Sequence, residues 1–251
     1  MILHAIEAGA GQPVVFLHGL FGNARNFGTF QRALATRFRV IALDMRNHGT
    51  SPHATGMRYP ELAADVLETL TALDALPATV IGHSMGGKAA MAAALLRPAA
   101  VQRLLAADIA PVVYQHHNAA GVRAMQAIPL DPGLTRAAAD AALLDAVPDA
   151  GVRSFLLQNL RFGAAPAWRI GLAEIAAAIP DLEGWVPLDG TFTGPTLFAT
   201  GAQSDYVTSD HRSAIRSLFP KSRFISVKNA GHWLHADHPA AFLAVLEAFL
   251  G

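Results

Sequence analysis

The stretch "VIGHSMGG", residues 80–87, decides the fold class of this chain. It contains the pattern G-x-S-x-G, with Ser84 between Gly82 and Gly86, after β-branched residues and before an alanine-rich segment. A serine on a sharp strand-to-helix turn needs small neighbours two residues away, because larger side chains would collide there. The helix that follows offers backbone N–H groups and a positive dipole to a developing negative charge. The stretch therefore predicts a nucleophilic serine rather than a glycine-rich turn that only packs a helix on a strand.

Short apolar runs alternate with helical patterns on both sides of this turn. Such alternation is typical of βα units that build a mostly parallel sheet. The opening residues 1–8 are predicted to add an antiparallel edge strand. The other predicted strands are 14–19, 38–44, 78–84, 103–108, 195–201 and 223–231, and the predicted helices are 59–73, 85–97, 208–219 and 239–250.

The interval 112–193 is different, because it shows successive helical patterns and no clear strand. A long helical insertion between two sheet strands is typical of a lid over a site. We therefore predict an α/β fold in which a core domain, residues 1–111 and 194–251, carries a helical cap of residues 112–193. The cap is inserted between a strand ending near Asp108 and one starting near Pro195, and the whole chain is one covalent unit. Its predicted helices are 134–147, 150–162 and 168–179.

Composition limits the classes of function. The chain has 251 residues, of which 52% are hydrophobic and 15% charged, as expected of a folded domain. Lys plus Arg and Asp plus Glu are both 19, so there is no basic excess that would favour nucleic acid. The N-terminus lacks signal-peptide features, and no apolar run reaches the roughly 18 residues of a membrane span. These observations predict a cytoplasmic protein without a membrane or nucleic-acid partner, and they leave monomer and homodimer open.

Metal and cysteine chemistry find no support in the sequence. The absence of cysteine excludes disulfides, thiolate metal sites and a cysteine nucleophile. His116 and His117 are adjacent, so they point apart on either a helix or a strand. No other histidine spacing matches a metal motif. We therefore predict no metal site and no cofactor.

A second motif, "FLHGLFGNARNF" at residues 16–27, places His-Gly at a strand end before a glycine-containing loop. In a fold with this type of serine turn, such a loop supplies a backbone donor to the oxyanion. The predicted donors are the N–H groups of Leu20 and Met85. His18 is predicted to bond the loop backbone, and the polar turn at 43–53 is predicted to support the serine turn from below.

A third motif, "VKNAGHWLHADHP" at residues 227–239, contains the predicted general base. His232 follows a strand and a glycine and precedes a helix, so it lies at the sheet edge from which a base reaches the serine. His235 and His238 are rivals, but they lack the glycine and the strand end. His232 is therefore the predicted base.

Aromatic and charged residues near these motifs predict features of the substrate pocket. Phe21, Phe27 and Trp233 are candidates for its lining. Lys88 and Arg46 lie near the serine turn, where they could attract an anionic leaving group such as a coenzyme A moiety. Solvation at the surface is the interpretation we favour for both charges.

Together, the motifs "LHGLFGNARNF", "DMRNHGTSP", "GHSMGGKA", "DIAPVVY" and "NAGHWLHAD" resemble those of the α/β-hydrolase superfamily, and in particular of YbfF-type esterases. The resemblance covers essentially the whole chain. It implies an α/β-hydrolase fold with a small helical cap, a small-molecule ester or thioester substrate of short to medium acyl length, and no cofactor.

The acid of a Ser-His-acid triad has two candidates. Many α/β-hydrolases carry it three residues beyond the glycine that ends the strand after the cap, which here is Gly201. That position holds Ser204, and Asp205 comes one residue late. The resemblance to YbfF-type esterases implies the other known position, Asp108 in "DIAP", with Ser204 as an auxiliary partner near His232. Asp205 remains the alternative acid.

The mechanism implied by these residues is hydrolysis through an acyl-enzyme on Ser84. Haloalkane dehalogenases and epoxide hydrolases use an aspartate as the nucleophile at this turn, so the serine excludes these two classes. Carbon–carbon bond hydrolases and cofactor-free perhydrolases use the same triad, so they remain alternatives. A non-catalytic binding protein on this scaffold is less consistent with the sequence, because both Ser84 and His232 are present.

Overall fold

A computed structural model describes residues 1–114 and 118–251, so His116 and His117 lie outside the described residues. The strands are β1 (Ala5–Ala8), β2 (Pro13–Leu17), β3 (Arg39–Leu43), β4 (Ala78–His83), β5 (Val101–Ala107), β6 (Leu160–Arg161), β7 (Ala167–Trp168), β8 (Thr196–Gly201) and β9 (Ser222–Val227). The helices are α1 (Gly28–Leu34), α2 (Tyr59–Ala72), α3 (Met85–Leu96), α4 (Asn118–Ala127), α5 (Arg136–Leu143), α6 (Ala150–Leu156), α7 (Leu172–Glu183), α8 (His211–Leu218), α9 (Leu234–Asp237) and α10 (Pro239–Leu250).

Seven strands form one sheet in the order β1-β3-β2-β4-β5-β8-β9. The edge strand β1 runs antiparallel to β3, and every other pair in this sheet is parallel. The predicted α/β-hydrolase fold with a mostly parallel sheet is thereby confirmed. Because the carboxyl ends of parallel strands meet at one edge, the residues that follow β4, β5, β8 and β9 lie near one another.

The strands alternate their side chains between two apolar layers, as a sheet covered on both faces requires. On β2, Val14 and Phe16 pack with α1 and α10, whereas Val15 and Leu17 pack with α2 and α3. Helix α3 is buried along almost its whole circumference, between the sheet and α2. The turn at Ser84, which precedes α3, is therefore held from several sides.

The helices α4 to α7 lie between β5 and β8 in the chain, which is the predicted position of the cap. Two details of that prediction were wrong. Residues 160–168 form a short hairpin, β6 paired with β7, because Gly163 and Pro166 interrupt the helical pattern. Helix α7 continues through Pro180 to Glu183, although a proline usually ends a helix just before it. The division of the chain into a core domain and a cap domain stays a prediction.

Within the ranges the structure describes, no helix is both long and apolar enough to cross a bilayer. The same residues include no group of three His, Cys, Asp or Glu side chains that could hold a metal ion. The cytoplasmic location and the oligomeric state stay predictions.

Candidate active site

Ser84 occupies a tight turn between β4 and α3. Its backbone has φ 51° and ψ −119°, a region that residues other than glycine rarely adopt. A Cβ atom on Gly82 would lie 2.2 Å from the backbone oxygen of Gly86, which explains why the motif needs small residues at these positions. The turn is anchored by hydrogen bonds from the Ser84 N–H to Ala107 O, 3.0 Å, and from the Lys88 N–H to Ser84 O, 3.1 Å.

The side chains of Ser84, His232 and Asp108 form a continuous chain of contacts. The Oγ of Ser84 is 3.1 Å from Nε2 of His232, and Nδ1 of the same ring is 2.8 Å from Oδ2 of Asp108. Asp108 is fully buried at the end of β5, and His232 lies in the loop after β9. Since a carboxylate only accepts, Nδ1 carries a proton and Nε2 is left free to accept one from Ser84. Tyr206 stacks on the His232 ring, with centroids 3.6 Å apart.

Both carboxylate oxygens of Asp108 receive further donors. The backbone N–H of Gly201 donates to Oδ1 over 3.1 Å, and the Ser204 hydroxyl donates to Oδ2. Asp205, in contrast, is exposed, and no hydrogen bond joins it to His232 in the described part of the chain. The structure therefore brings Asp108 and Ser204 to the histidine and leaves Asp205 apart.

The N–H groups of Leu20 and Met85 lie on the two segments that border Ser84. Neither has a protein acceptor among residues 1–114 and 118–251. The loop packs closely on the serine turn, because a Cβ atom on Gly19 would be 2.8 Å from Nδ1 of His83 and 3.3 Å from Cβ of Ser84. These two amides are thus available to a ligand atom beside Ser84.

Two buried histidines hold this loop in place. His18 donates from Nδ1 to Gly19 O, 2.8 Å, and accepts the Met45 N–H at Nε2, 2.9 Å. His48 accepts the Phe21 N–H at Nε2 over 3.0 Å. Burial lowers the pKa of His18 to about 4 and that of His48 to about 3, so both rings are neutral at neutral pH. A neutral ring with one donor and one acceptor has a fixed tautomer, which makes both residues rigid supports.

The turn at 43–53 reinforces the same loop from below. Asp44 accepts the Ala24 N–H at Oδ1, 2.7 Å, and the Thr50 N–H at Oδ2, 2.8 Å. The Ser51 hydroxyl donates to the backbone oxygen of Asp44 over 2.5 Å. These contacts hold the 16–27 loop, whereas the support predicted for the serine turn itself stays a prediction.

A cavity of about 230 Å³ opens at Ser84 and His232. The three residues predicted to line it, Phe21, Phe27 and Trp233, all do so. Phe27 is only 1% exposed and stacks on Phe16, so most of its ring belongs to the core. The side of the cavity that faces α5 and α6 is apolar, and its residues are Ala146, Val147, Val152, Phe155 and Leu156.

The prediction that Lys88 and Arg46 are solvated at the surface was wrong. Arg46 is 8% exposed, and its Nε donates to Asp65 Oδ2 over 2.5 Å, so this charge is neutralised. Lys88 is 1% exposed, lines the cavity and donates from Nζ to Gly184 O, 2.6 Å, just beyond α7. Burial lowers the pKa of Lys88 to about 7. The sequence missed both positions because partners distant in the chain enclose them.

Comparisons with known proteins show the family to which this chain belongs. A family model described as "Alpha/beta hydrolase family" matches residues 14–245. The chain is 40% identical over 246 residues to the mouse protein named sn-1-specific diacylglycerol lipase ABHD11, covering 94% of this chain and 80% of that protein. It is 37% identical over 239 residues to Esterase YbfF of Escherichia coli K12, covering 95% and 92%.

Among solved structures, one titled "Marine microorganism esterase" superposes with a TM-score of 0.95 at 32% identity, covering 99% of both chains. The resemblance to YbfF-type esterases is thereby confirmed. Both the family match and these identities extend over nearly the whole chain, and the protein belongs to the alpha/beta hydrolase family.

Proposed function

We propose that this protein is a serine hydrolase that cleaves carboxylic esters through an acyl-enzyme on Ser84. The observation that carries the proposal is the chain of contacts from Ser84 Oγ through His232 to Asp108, 3.1 and 2.8 Å long, at the mouth of a cavity. Relatives that are named esterases or a lipase support the same reaction class. The substrate is a small-molecule ester of short to medium acyl length, or the corresponding thioester.

In the first step, His232 Nε2 takes the proton of Ser84 Oγ as this oxygen attacks the substrate carbonyl carbon. Asp108 holds the proton on Nδ1 and stabilises the imidazolium that forms. The carbonyl oxygen, now negative, accepts the N–H groups of Leu20 and Met85. One such donor contributes roughly 3–4 kcal/mol to the transition state in other serine hydrolases.

In the second half, His232 gives its proton to the leaving alcohol or thiol, and the acyl group remains on Ser84. Water, deprotonated by the same Nε2, then attacks the acyl carbon and releases the acid. Ser204 keeps Asp108 in place through its hydroxyl, and Tyr206 fixes the plane of the His232 ring by stacking. None of these steps calls on a cofactor.

In this proposal residues 112–193 form the cap, and side chains from its described parts, 112–114 and 118–193, line one wall of the cavity. Support comes from hydrogen bonds that dock this segment on the core, from Asn159 Nδ2 to Phe21 O, 2.8 Å, and from the Gly171 N–H to Asn47 O, 2.9 Å. The first of them ties the cap to the loop that carries Leu20. The acyl chain would lie against the apolar residues of α6.

The test is a panel of p-nitrophenyl esters and acyl-coenzyme A thioesters of increasing chain length, with Ser84→Ala as the control. We expect hydrolysis by the wild type and a loss of at least several orders of magnitude in the variant. A fluorophosphonate probe should label the wild type and spare Ser84→Ala. Equal activity of the two proteins would refute Ser84 as the nucleophile.

Carbon–carbon bond hydrolysis and perhydrolysis remain alternatives on the same residues. A vinylogous diketone and a peroxide-dependent halogenation assay, run beside the esters, separate them. The outcome expected here is that ester cleavage exceeds both reactions. A wild-type protein that neither cleaves esters nor reacts with the probe would favour a binding role instead.

A further inference from the structure

His83 is the last residue of β4 and directly precedes Ser84, and its side chain reaches the loop of the general base. Its Nε2 lies 2.9 Å from the backbone oxygen of His232, a residue 149 positions away in the chain. A carbonyl oxygen only accepts, so the ring must donate an N–H to it. In the described ranges, no other protein group hydrogen-bonds the backbone of His232.

The environment of His83 keeps this donor constant. The residue is 4% exposed, and burial lowers the pKa of its ring well below 6.5. His235 and His232, which face the ring at centroid distances of 4.5 and 4.8 Å, disfavour a positive charge there as well. The ring is therefore neutral, with its proton on Nε2, over the pH range in which serine hydrolases are assayed.

The opposite edge of the ring faces the oxyanion loop. An added Cβ atom on Gly19 would lie 2.8 Å from His83 Nδ1, so the Cα of Gly19 is packed against this edge. The His83 ring thus contacts both the loop that carries Leu20 and the backbone of His232. The residue is also bonded directly to Ser84 in the chain. Packing alone would not require a donor at this position, because an apolar side chain of similar size fills the same space.

We propose that His83 is a positioning residue for the reaction on Ser84. Its hydrogen bond to the backbone oxygen of His232 holds the base so that Nε2 stays 3.1 Å from Ser84 Oγ. The inference rests on the proposed function, because it assigns His83 to the same catalytic step. A shift of about 1 Å in a catalytic group lowers rates by about 10²-fold, which sets the size of the expected effect.

A pair of variants separates the hydrogen bond from packing. His83→Gln keeps an amide donor at a similar reach, and His83→Met fills a similar volume without one. We expect His83→Met to lower kcat for p-nitrophenyl butyrate by about 10²-fold with little change in KM. His83→Gln should recover at least tenfold of that loss. The rate of fluorophosphonate labelling should follow the same order, because it reports the nucleophilic step without substrate turnover.

Thermal unfolding of both variants monitors the fold, and His83→Leu replaces His83→Met if the latter does not fold. Equal kcat in the donor and donor-free variants would overturn the proposal and leave His83 as a packing residue. That result is distinct from failure of the proposed function, which would show as a wild-type protein without Ser84-dependent esterase activity.

Discussion

Replacement of the buried acid gives the sharpest test of the site. We expect Asp108→Asn to lower kcat for p-nitrophenyl butyrate by about 10⁴-fold, as loss of the triad aspartate does in serine proteases. This factor corresponds to about 5.5 kcal/mol of lost transition-state stabilisation. The size of the side chain hardly changes, so the fold should persist.

The magnitude follows from the donors around Asp108. Gly201 donates its N–H to Oδ1, whereas Ser204 and His232 donate to Oδ2. An amide has one acceptor oxygen. If that oxygen faces Gly201, the NH₂ group faces His232 Nδ1, the ring proton moves to Nε2, and Nε2 no longer accepts from Ser84. If the amide is reversed, its NH₂ group faces the N–H of Gly201. Two donors then oppose each other in a buried site, which costs about 1–3 kcal/mol.

Asp205→Asn is the matched control. Asp205 is exposed and lies four residues beyond Gly201, the last residue of β8. No hydrogen bond links it to His232 in the described chain. We expect its kcat to stay within about twofold of the wild type, as for most surface substitutions. Both variants are assayed with the same ester after thermal unfolding has verified the fold. A large loss of kcat in Asp205→Asn together with a wild-type kcat in Asp108→Asn would refute the assignment of Asp108 as the acid.

Three further substitutions probe the surroundings of the site. Ser204→Ala removes one donor to Asp108, and we expect kcat to fall by about 10- to 10²-fold, because a hydrogen bond to a charged group contributes about 1.5–3 kcal/mol. Gly19→Ala places a methyl group against His83, and steady-state kinetics should show a loss of about 10²–10³-fold in kcat, as for one lost oxyanion donor. Lys88→Met tests the buried ammonium by urea unfolding at several pH values. Between pH 7 and 10.5 the unfolded wild type holds a proton that the folded protein has released, so its free energy of unfolding should rise with pH, and the variant should lack this rise.

The fold and the nucleophile could be predicted because their determinants are local. The turn at Ser84 needs a strand before it, a helix after it and small residues at Gly82 and Gly86, and all of these appear within a few residues in the sequence. The strands around it follow from apolar runs of the right length. Even the edge strand β1 could be predicted from its position before the first buried strand.

The buried contacts of Lys88 and His83 could not be predicted, because their partners lie in distant segments of the chain. Lys88 was expected to be solvated at the surface, but α2 and the sheet cover helix α3, and Lys88 donates to Gly184 beyond α7. His83 fills a position that the G-x-S-x-G pattern leaves free. Its partner, the backbone oxygen of His232, has no sequence signature at all.

The acid that contacts the catalytic histidine can come from the end of either of two neighbouring strands, which here are β5 and β8. Ser204 stands where many α/β-hydrolases carry the acid, and its Oγ bonds the same Oδ2 of Asp108 that faces His232. A carboxylate at position 204 would therefore lie near the place that Oδ2 now occupies. We expect Ser204→Asp to raise the kcat of Asp108→Asn by at least tenfold, because the amide can donate to the new carboxylate while that carboxylate accepts from Nδ1. Ester assays of the single and double variants measure this recovery, and Asp108→Asn with Ser204→Asn is the uncharged control. If kcat of the double variant does not exceed that of this control, an acid reaches His232 from the end of β5 but not from the turn after β8.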